Sequence, residues 1–420
     1  MKRLKLTDTI VIILLAWVGL AHLNHVVGWG VHDVVEIFPL SQFAGPRIMW
    51  SGLPYVAAFL VVLLIALRLR PTPVRVWIFG VALILLGNLA QGGVGLGFLA
   101  PFRFRGGARY LEAAQTIDGW TEWLRSFTTI QRTLYRQPQT HPPFAVLLHH
   151  VLRTPAVISA AFTGIASVSI VLVWKTLKAA GAKAGESLWL ALLFAVVPAI
   201  NIYGGVSLDG VVLTTSTLFL LGLVRLERGP TWSWYAFAAL AAGLFATNAL
   251  TFGGLLLVAV LALRSLGSRE VRKAMALCLG LAAVLYVAFS LGFGYDHVKA
   301  FVTASKSENP NGFQAIGVPI HYWLTRQENV WNIAVFASVP VLAVLVRRRP
   351  HDLSAAAVLV LLIMFLTGAY RTGETARACM FIYPFLFLTL KDLPARSIRR
   401  LVAAAGIQTI LMQALGSYGF

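Results

Sequence analysis

The sequence predicts an all-α, polytopic integral membrane helical bundle, and three observations support this fold class. Apolar residues make up 58% of the 420 positions, charged residues make up 12%, and the mean hydropathy is +0.77. A soluble domain needs about a quarter of its residues charged to cover its surface. In lipid, backbone N–H and C=O groups must be satisfied internally, which leaves helices or closed barrels. The apolar runs approach ~20 residues and do not alternate, so helices are favoured.

Apolar runs of this kind recur along the chain and predict about 11–13 transmembrane helices in a single integral membrane domain, 1–420. The spans are predicted near 8–28, 52–67, 76–99, 155–174, 187–203, 208–224, 233–248, 250–263, 274–293, 331–346, 354–370, 378–390 and 401–416. The first run follows Lys2, Arg3 and Lys5, as a signal peptide would. It is long and lacks a small-residue cleavage site, so a retained first helix is predicted.

The net charge of +19 would suggest a nucleic-acid partner in a soluble protein. Here the basic residues sit mostly in short loops between apolar runs, which is the orientation signal of a membrane protein. With the N-terminus in the cytoplasm, the short inside loops are uniformly basic. The composition favours a multi-pass protein of the plasma (inner) membrane, in contact with membrane lipids and with no nucleic acid. Cys278 and Cys379 form neither a disulfide framework nor a metal-ligand spacing.

This orientation leaves two long outer loops, 100–154 and 294–330, and a short one at 371–377. Long loops are commonly functional. In the first, residues 108–127 carry apolar side chains at helical spacing with Trp120 and Trp123 beside them, which predicts a helix at the lipid–water interface. Its other side carries Asp118, Glu122 and Arg125, which also suits a plain solvated face with an ion pair.

His141 precedes two prolines, Pro142 and Pro143, in the same loop. The prolines hold the backbone outside helical space and then allow a helix to begin. The imidazole is thus expected just outside the membrane, within reach of a polar ligand. The alternative is a turn in which the histidine only caps local backbone.

Three stretches on the outer face carry a family resemblance. The first comprises Tyr110, Ala114, Ile117, Trp123-Leu124-Arg125 and Phe127, then Thr140-His141-Pro142-Pro143 and Leu147-Leu148. The second runs from Pro198 through Tyr203 to Asp209. The third comprises Arg371-Thr372-Gly373-Glu374-Thr375-Ala376-Arg377, followed by Phe381 and Pro384-Phe385.

In this order the three stretches resemble bacterial GT-C glycosyltransferases, the multi-spanning enzymes related to protein O-mannosyltransferases and arabinofuranosyltransferases. The resemblance implies a polyprenyl-phosphate-linked sugar donor and a glycan, lipid or protein acceptor on the extracytoplasmic face. One position departs from the family: an acidic residue usually stands just before the first-loop tyrosine, and here that position is Arg109. An activity-altered relative is therefore an open alternative.

The chemistry would need a carboxylate for the acceptor hydroxyl and cations for the departing phosphate. The predicted catalytic residues are Glu112, Asp118 and Asp209, and the predicted substrate-binding residues are Arg109, Tyr110, His141, Arg371, Glu374 and Arg377. Asp209 could equally be an acid interacting with a helix dipole. Arginine grips phosphate bidentately, but outer arginines also contact anionic lipid headgroups, and Arg103 and Arg105 are assigned to lipid.

No metal site is predicted from ligand spacing, although some family members use a divalent cation, and no other cofactor is predicted. The second long loop mixes Tyr322 and Trp323 with Asp296, His297, His321 and Arg326, which suits a sugar platform or interfacial anchoring. A transporter or flippase is the competing function, but transporters place ionisable residues inside spans, which are almost free of charge here. A non-catalytic envelope assembly protein is the third possibility.

Overall fold

The computed structural model describes residues 48–248, 269–308, 319–366, 375–416 and 418. Every regular element in these ranges is helical, which confirms the predicted polytopic all-α class. The predicted spans 8–28 and 250–263 lie outside the described residues, and so do Arg371 and Glu374.

The described part of the chain consists of successive helices. In order they are α1 (Leu53–Arg68), α2 (Pro73–Leu89), α3 (Val94–Arg103), α4 (Gly106–Gln115), α5 (Trp120–Ile130), α6 (Arg136–Gln139), α7 (Pro143–Leu152), α8 (Pro155–Ala179), α9 (Ala184–Val196), α10 (Pro198–Tyr203), α11 (Asp209–Arg228), α12 (Trp232–Asn248), α13 (Arg269–Phe293), α14 (His297–Glu308), α15 (Pro319–Phe336), α16 (Val339–Leu345), α17 (Asp352–Leu366), α18 (Thr375–Ala378), α19 (Tyr383–Leu388) and α20 (Ala395–Leu415).

Three helices of the described part are long and apolar enough to cross a membrane: α1 with its leading turn, α8 and α11. Two bent helix pairs pass the same test only when each pair is taken together: α2 with α3, bent by 104°, and Glu328–Phe336 with α16, bent by 103°. Shorter apolar helices, including α7, α9 and α17, surround them. Several stretches that the sequence predicts as single straight spans are therefore broken.

Glycine and proline cause these breaks. Gly92 and Gly93, with φ of 127° and 79°, end α2 in a conformation that other residues rarely adopt. Gly97 of α3 then packs on the end of α2, where an added Cβ would lie 1.9 Å from the Asn88 carbonyl oxygen. The predicted span 187–203 breaks at Pro198, which lacks an N–H and holds Val197 in extended geometry with ψ of 143°.

The second bent pair turns at Ser338, which has a φ of 77°. Gln408 of α20 stabilises the turn, because its Oε1 accepts from the Val339 N–H at 2.9 Å and from the Ser338 hydroxyl at 3.0 Å. A side chain of the last described helix thus satisfies a backbone donor that the break would otherwise leave unpaired.

The centre of the bundle is α11, which packs against α8 and α12. Gly222 of α11 lies so close to Ala238 that an added Cβ would stand 2.9 Å from the alanine Cβ. The Thr214 hydroxyl donates to the Ile165 carbonyl of α8 at 2.9 Å. Small residues and interhelical hydrogen bonds are what hold helices together in lipid, where both sides of an interface are equally apolar.

The predicted loop 100–154 is largely helical and contains α4 to α7. The single interfacial helix expected over 108–127 is wrong in one respect, because the chain breaks between Gln115 and Trp120. Asp118 lies in this break and not on the face of α5. Gly119 precedes α5 in extended geometry, which explains the interruption. The predicted loop 294–330 likewise contains α14 and the first half of α15.

Candidate functional site

His141 contacts Tyr110 of α4. The Tyr110 hydroxyl lies 2.8 Å from His141 Nδ1, and the two rings meet edge to face at 5.5 Å. Pro142, with φ of −61° and ψ of 156°, separates the histidine from α7, and so the ring points back towards α4. Nδ1 is also 2.9 Å from the Gln137 carbonyl oxygen. When Nδ1 is protonated it donates to Gln137; when it is not, it accepts from Tyr110.

A second histidine lies behind Tyr110. His149 is fully buried and stacks on the Tyr110 ring, with centroids 5.1 Å apart and planes at 14°. Phe102 and Phe162 complete the surrounding apolar wall. Burial lowers the pKa of His149 to about 4, and the imidazole is therefore neutral near pH 7, with Nδ1 donating to the Ala145 carbonyl at 2.7 Å.

His149 was not predicted as a site residue, and two adjacent histidines cannot face one ligand on a helix. The structure agrees on this point, since His150 points elsewhere and its Nδ1 lies 3.0 Å from the Ala114 carbonyl oxygen. The missed signal was the spacing of His141 and His149 across the proline pair, which brings both rings to the same tyrosine.

Arg109 and Glu112 pair with each other on the exposed side of α4. Their closest atoms are 2.9 Å apart, and both side chains are 44% exposed. The guanidinium also lies over the Tyr135 ring at 4.3 Å. The hydrogen bond to Glu112 raises the pKa of Arg109 above its ordinary value. Asp118 is exposed in the α4–α5 connection. The first-loop acids thus face outwards, away from the buried rings of Tyr110 and His149.

Asp209 and Arg377, far apart in sequence, meet in the bundle. Asp209 Oδ2 is 3.6 Å from Arg377 Nε, and the two side chains are 22% and 18% exposed. Asp209 is the first residue of α11, where the helix dipole favours a carboxylate, and its N–H donates to Ser207 Oγ at 3.2 Å. The second and third stretches of the family resemblance therefore come together.

Two asparagines of α15 hold the short helix that carries Arg377. The Ala376 N–H donates to Asn332 Oδ1 and the Thr375 hydroxyl to Asn329 Oδ1, both at 2.6 Å. The adjacent Glu328 is fully buried. Glu328 lies within the predicted outer loop 294–330, and neither asparagine was predicted as a site residue. Asn329 and Asn332 are three residues apart, with the apolar Val330 and Trp331 between them, and this one-face spacing could have revealed them.

An aromatic cluster adjoins this pair. Tyr203 of α10 stacks on Phe336 at 5.2 Å, and both rings meet Tyr418 edge to face at 6.0 Å. Arg105 Nη1 donates to the Tyr418 backbone carbonyl at 2.5 Å. The assignment of Arg105 to lipid headgroups is therefore wrong, because a half-buried guanidinium bound to a backbone carbonyl is committed to the protein. Arg103 is exposed.

An apolar groove opens beside the proline pair. It has a volume of about 640 Å³ counted with its open mouth, and its walls include Leu124, Pro143, Leu147 and Phe289. Its polar groups are few. The His297 ring stacks on the Tyr286 ring at 4.0 Å. Such a lining, apolar with a few polar groups, is typical of ligand-binding sites.

Among the residues that the structure describes, no group of three or more His, Cys, Asp or Glu side chains is arranged to hold a metal ion.

No protein-family model matches the sequence, and no curated protein matches it at a significant level. Among solved structures, the chain is similar to a chain of the Saccharomyces cerevisiae protein O-mannosyltransferase Pmt1–Pmt2 complex bound to the sugar donor. The two share 16% sequence identity with a TM-score of 0.36, and the alignment covers 54% of this chain. It covers 34% of the yeast chain, so this protein matches about a third of that chain's length.

Proposed function

We propose that this protein is a GT-C-type glycosyltransferase that moves a sugar from a polyprenyl-phosphate donor to an acceptor on the extracytoplasmic face of the plasma membrane. The observation that carries the proposal is the Asp209–Arg377 pair at 3.6 Å. It supplies a carboxylate and a guanidinium at one point, from the two later stretches of the family resemblance, and leaves both about one-fifth exposed to a ligand.

In this proposal Asp209 is the catalytic carboxylate. It takes the proton of the acceptor hydroxyl while the acceptor oxygen bonds to the anomeric carbon. The bond from that carbon to the phosphate oxygen breaks, and its electron pair leaves with the polyprenyl phosphate. Arg377 faces the growing negative charge, with Arg371 as a second cation and Glu374 as a polar contact of the sugar.

The first long loop would bind the other end of the substrates. Tyr110 is buried and His141 is only partly buried, and the imidazole of His141 can bind a sugar or phosphate oxygen. Arg109 occupies the position of the family's acid and neutralises Glu112. Glu112 and Asp118 stay catalytic candidates, but Glu112 contacts Arg109 on the exposed side of α4 and Asp118 is exposed, whereas the Asp209 side chain is only 22% exposed.

The groove beside Pro142 and Pro143 would hold the prenyl chain. Its apolar walls match an isoprenoid, and each buried CH₂ group contributes about 0.8 kcal/mol. Filling it with Leu147→Trp should raise the apparent KM for long-chain donors more than for short-chain donors.

The decisive experiment measures transfer from radiolabelled polyprenyl-phosphate hexoses and pentoses by purified protein in nanodiscs. Asp209→Asn and Arg377→Gln should abolish or nearly abolish transfer, whereas Glu112→Gln and Asp118→Asn should retain most of it. Full activity of both Asp209→Asn and Arg377→Gln would refute the assigned site. If Glu112→Gln alone is inactive, the carboxylate is the first-loop acid.

A transporter of a lipid-linked or small polar substrate is the second candidate. Two near-perpendicular helix breaks are features of transporter binding sites, and so is the fully buried Glu328, which begins the first segment of the second bent pair. The buried Glu328 also departs from the expectation that span interiors are almost free of charge. Movement of a labelled lipid-linked sugar across proteoliposome membranes without transfer would support this function over the enzyme. Neither transfer nor movement with any lipid-linked sugar would favour a non-catalytic assembly protein.

A further inference from the structure

Four amide side chains form a buried network at the break between α2 and α3. Asn88 and Gln91 belong to the break, Asn201 to α10 and Gln413 to α20, and all four are more than nine-tenths buried. None of the hydrogen bonds described for the network comes from a charged side chain.

Backbone carbonyls fix the direction of this network. Asn201 Nδ2 donates to the carbonyl oxygens of Leu83 at 3.1 Å and Ala195 at 3.2 Å, so Asn201 Oδ1 must be an acceptor. Gln413 Nε2 donates to that oxygen at 3.1 Å, and Gln413 Oε1 in turn accepts from Gln91 Nε2 at 2.6 Å. Each amide N–H therefore donates to the next amide oxygen in the series Gln91, Gln413, Asn201, and the Oε1 of Gln91 is the first oxygen of the series, with no amide before it.

Asn88 is oriented in the same manner. Its Nδ2 donates to the carbonyl oxygens of Ile84 at 2.9 Å and Asn201 at 2.7 Å, which uses both amide hydrogens. Asn88 Oδ1 and Gln91 Oε1 are both fully buried and accept a hydrogen bond from none of the described residues. A buried acceptor that has lost water and gained no donor costs free energy, and it is normally matched by a ligand or an ordered water.

The glycines around the network leave room for these amides. An added Cβ at Gly87 would lie 2.0 Å from Asn201 Oδ1, and one at Gly205 would lie 3.1 Å from Asn88 Nδ2. Gly205 belongs to the connection between α10 and α11, which leads directly to Asp209. The Asn88 amide thus lies against the segment that carries the proposed catalytic carboxylate.

We propose that Asn88 Oδ1 and Gln91 Oε1 each accept a hydrogen bond from an uncharged hydroxyl donor. Acceptor-only oxygens repel an anion, and a cation would be desolvated here with no negative charge to compensate it. An uncharged O–H donor meets neither penalty. The hydroxyl belongs either to an ordered water or to a saccharide substrate, and the two sources are distinguishable.

The test compares the wild type with Gln91→Met in nanodiscs by electron cryo-microscopy at a resolution that shows ordered waters. The control is Gln413→Met, which also breaks the Gln91–Gln413 hydrogen bond but keeps both acceptor oxygens. A density peak within hydrogen-bond distance of Gln91 Oε1 or Asn88 Oδ1 is expected in the wild type and in the control, and at Gln91→Met the peak at this position should be lost.

The same variants are assayed for transfer from a polyprenyl-phosphate hexose. If the density peak is present without the sugar donor, and Gln91→Met changes the apparent KM for the donor by less than about twofold, the site binds water. A peak only with donor, and a KM raised roughly fivefold or more in Gln91→Met alone, assign it to the sugar.

Absence of a peak with and without donor, combined with equal KM values, overturns the proposal. A melting temperature that rises with NaCl but not with choline chloride would also overturn it, in favour of a cation. The structural comparison does not require transfer, so it stays decisive even if the proposed function fails.

Discussion

Exchanging the two charges of the Asp209–Arg377 pair separates its structural role from its chemical role. At 3.6 Å and an effective dielectric constant of about 20, the Coulomb attraction is about 4–5 kcal/mol. Desolvation and the screening of two side chains that are each about one-fifth exposed reduce the net coupling to about 1–2 kcal/mol. Arg377→Gln and Asp209→Asn should therefore each lower the thermal midpoint by a few degrees.

The double variant Asp209→Arg/Arg377→Asp restores opposite charges at the same positions. We expect it to recover part of the lost stability, because the attraction between opposite charges returns, whereas an arginine at the first residue of α11 opposes the helix dipole. Transfer activity should not recover, since the carboxylate would then face the phosphate and the guanidinium the acceptor hydroxyl.

The assay is differential: thermal midpoints by tryptophan fluorescence, and initial transfer rates in the same nanodisc preparations. Asp209→Asn should reduce the rate at least roughly 100-fold, as expected for loss of a general base. Recovery of transfer by the double variant to near the wild-type rate would refute the catalytic assignment and make the pair purely structural.

Three further outcomes follow from the geometry. The pKa of His149 is about 4 in the folded protein, against an ordinary value of 6.5. Between these two pH values the unfolded chain binds a proton at His149 that the folded chain does not bind. The free energy of unfolding should therefore fall by up to about 3 kcal/mol as the pH drops from above 6.5 towards 4. Thermal midpoints of His149→Phe should lack this part of the decline, and an unchanged decline would contradict the assignment. Gly97→Ala should sharply reduce the yield of folded protein, because the added Cβ would lie 1.9 Å from the Asn88 carbonyl oxygen. The control Gly95→Ala should be tolerated, because an added Cβ there has no atom within 4 Å. Equal yields of the two variants on size-exclusion chromatography would show that the bend is not close-packed. Asn332→Leu removes the acceptor for the Ala376 N–H, so the transfer rate should fall about tenfold. With short-chain donors, the apparent KM should rise more in this variant than in Leu147→Trp. An unaltered rate would mean that α18 positions Arg377 without this hydrogen bond.

The fold class could be predicted from the sequence because lipid permits few solutions. Composition and run length suffice to distinguish a helical membrane bundle from a soluble domain, and spans such as Leu53–Arg68 and Pro155–Ala179 lie where the apolar runs predict them. The breaks were not predicted. Hydropathy does not report the direction of the chain, so an apolar run that bends by 104° near Gly92–Gly93 is predicted as one continuous span.

The candidate site divides in the same way. Motif order pointed to Asp209, Arg377, Tyr110 and His141, and the structure pairs the first two with each other and the last two with each other. The sequence could not show that Glu112 forms an ion pair with Arg109, because a three-residue spacing on a helix permits an ion pair but does not require one. Residues whose role depends on another helix, such as Asn332, become visible only through the contact itself.

The enclosure of α11 bears on how the chain reaches its final state in the cell. Thr214, Thr215, Ser216 and Thr217 all lie buried on this helix, and 83% of its apolar window is covered by protein. A segment so covered meets lipid only while its neighbours are still being synthesised. Since α12 follows it in the chain, α11 reaches this enclosure only after α12 has been synthesised, and until then its hydroxyls rely on hydrogen bonds to carbonyls of their own helix.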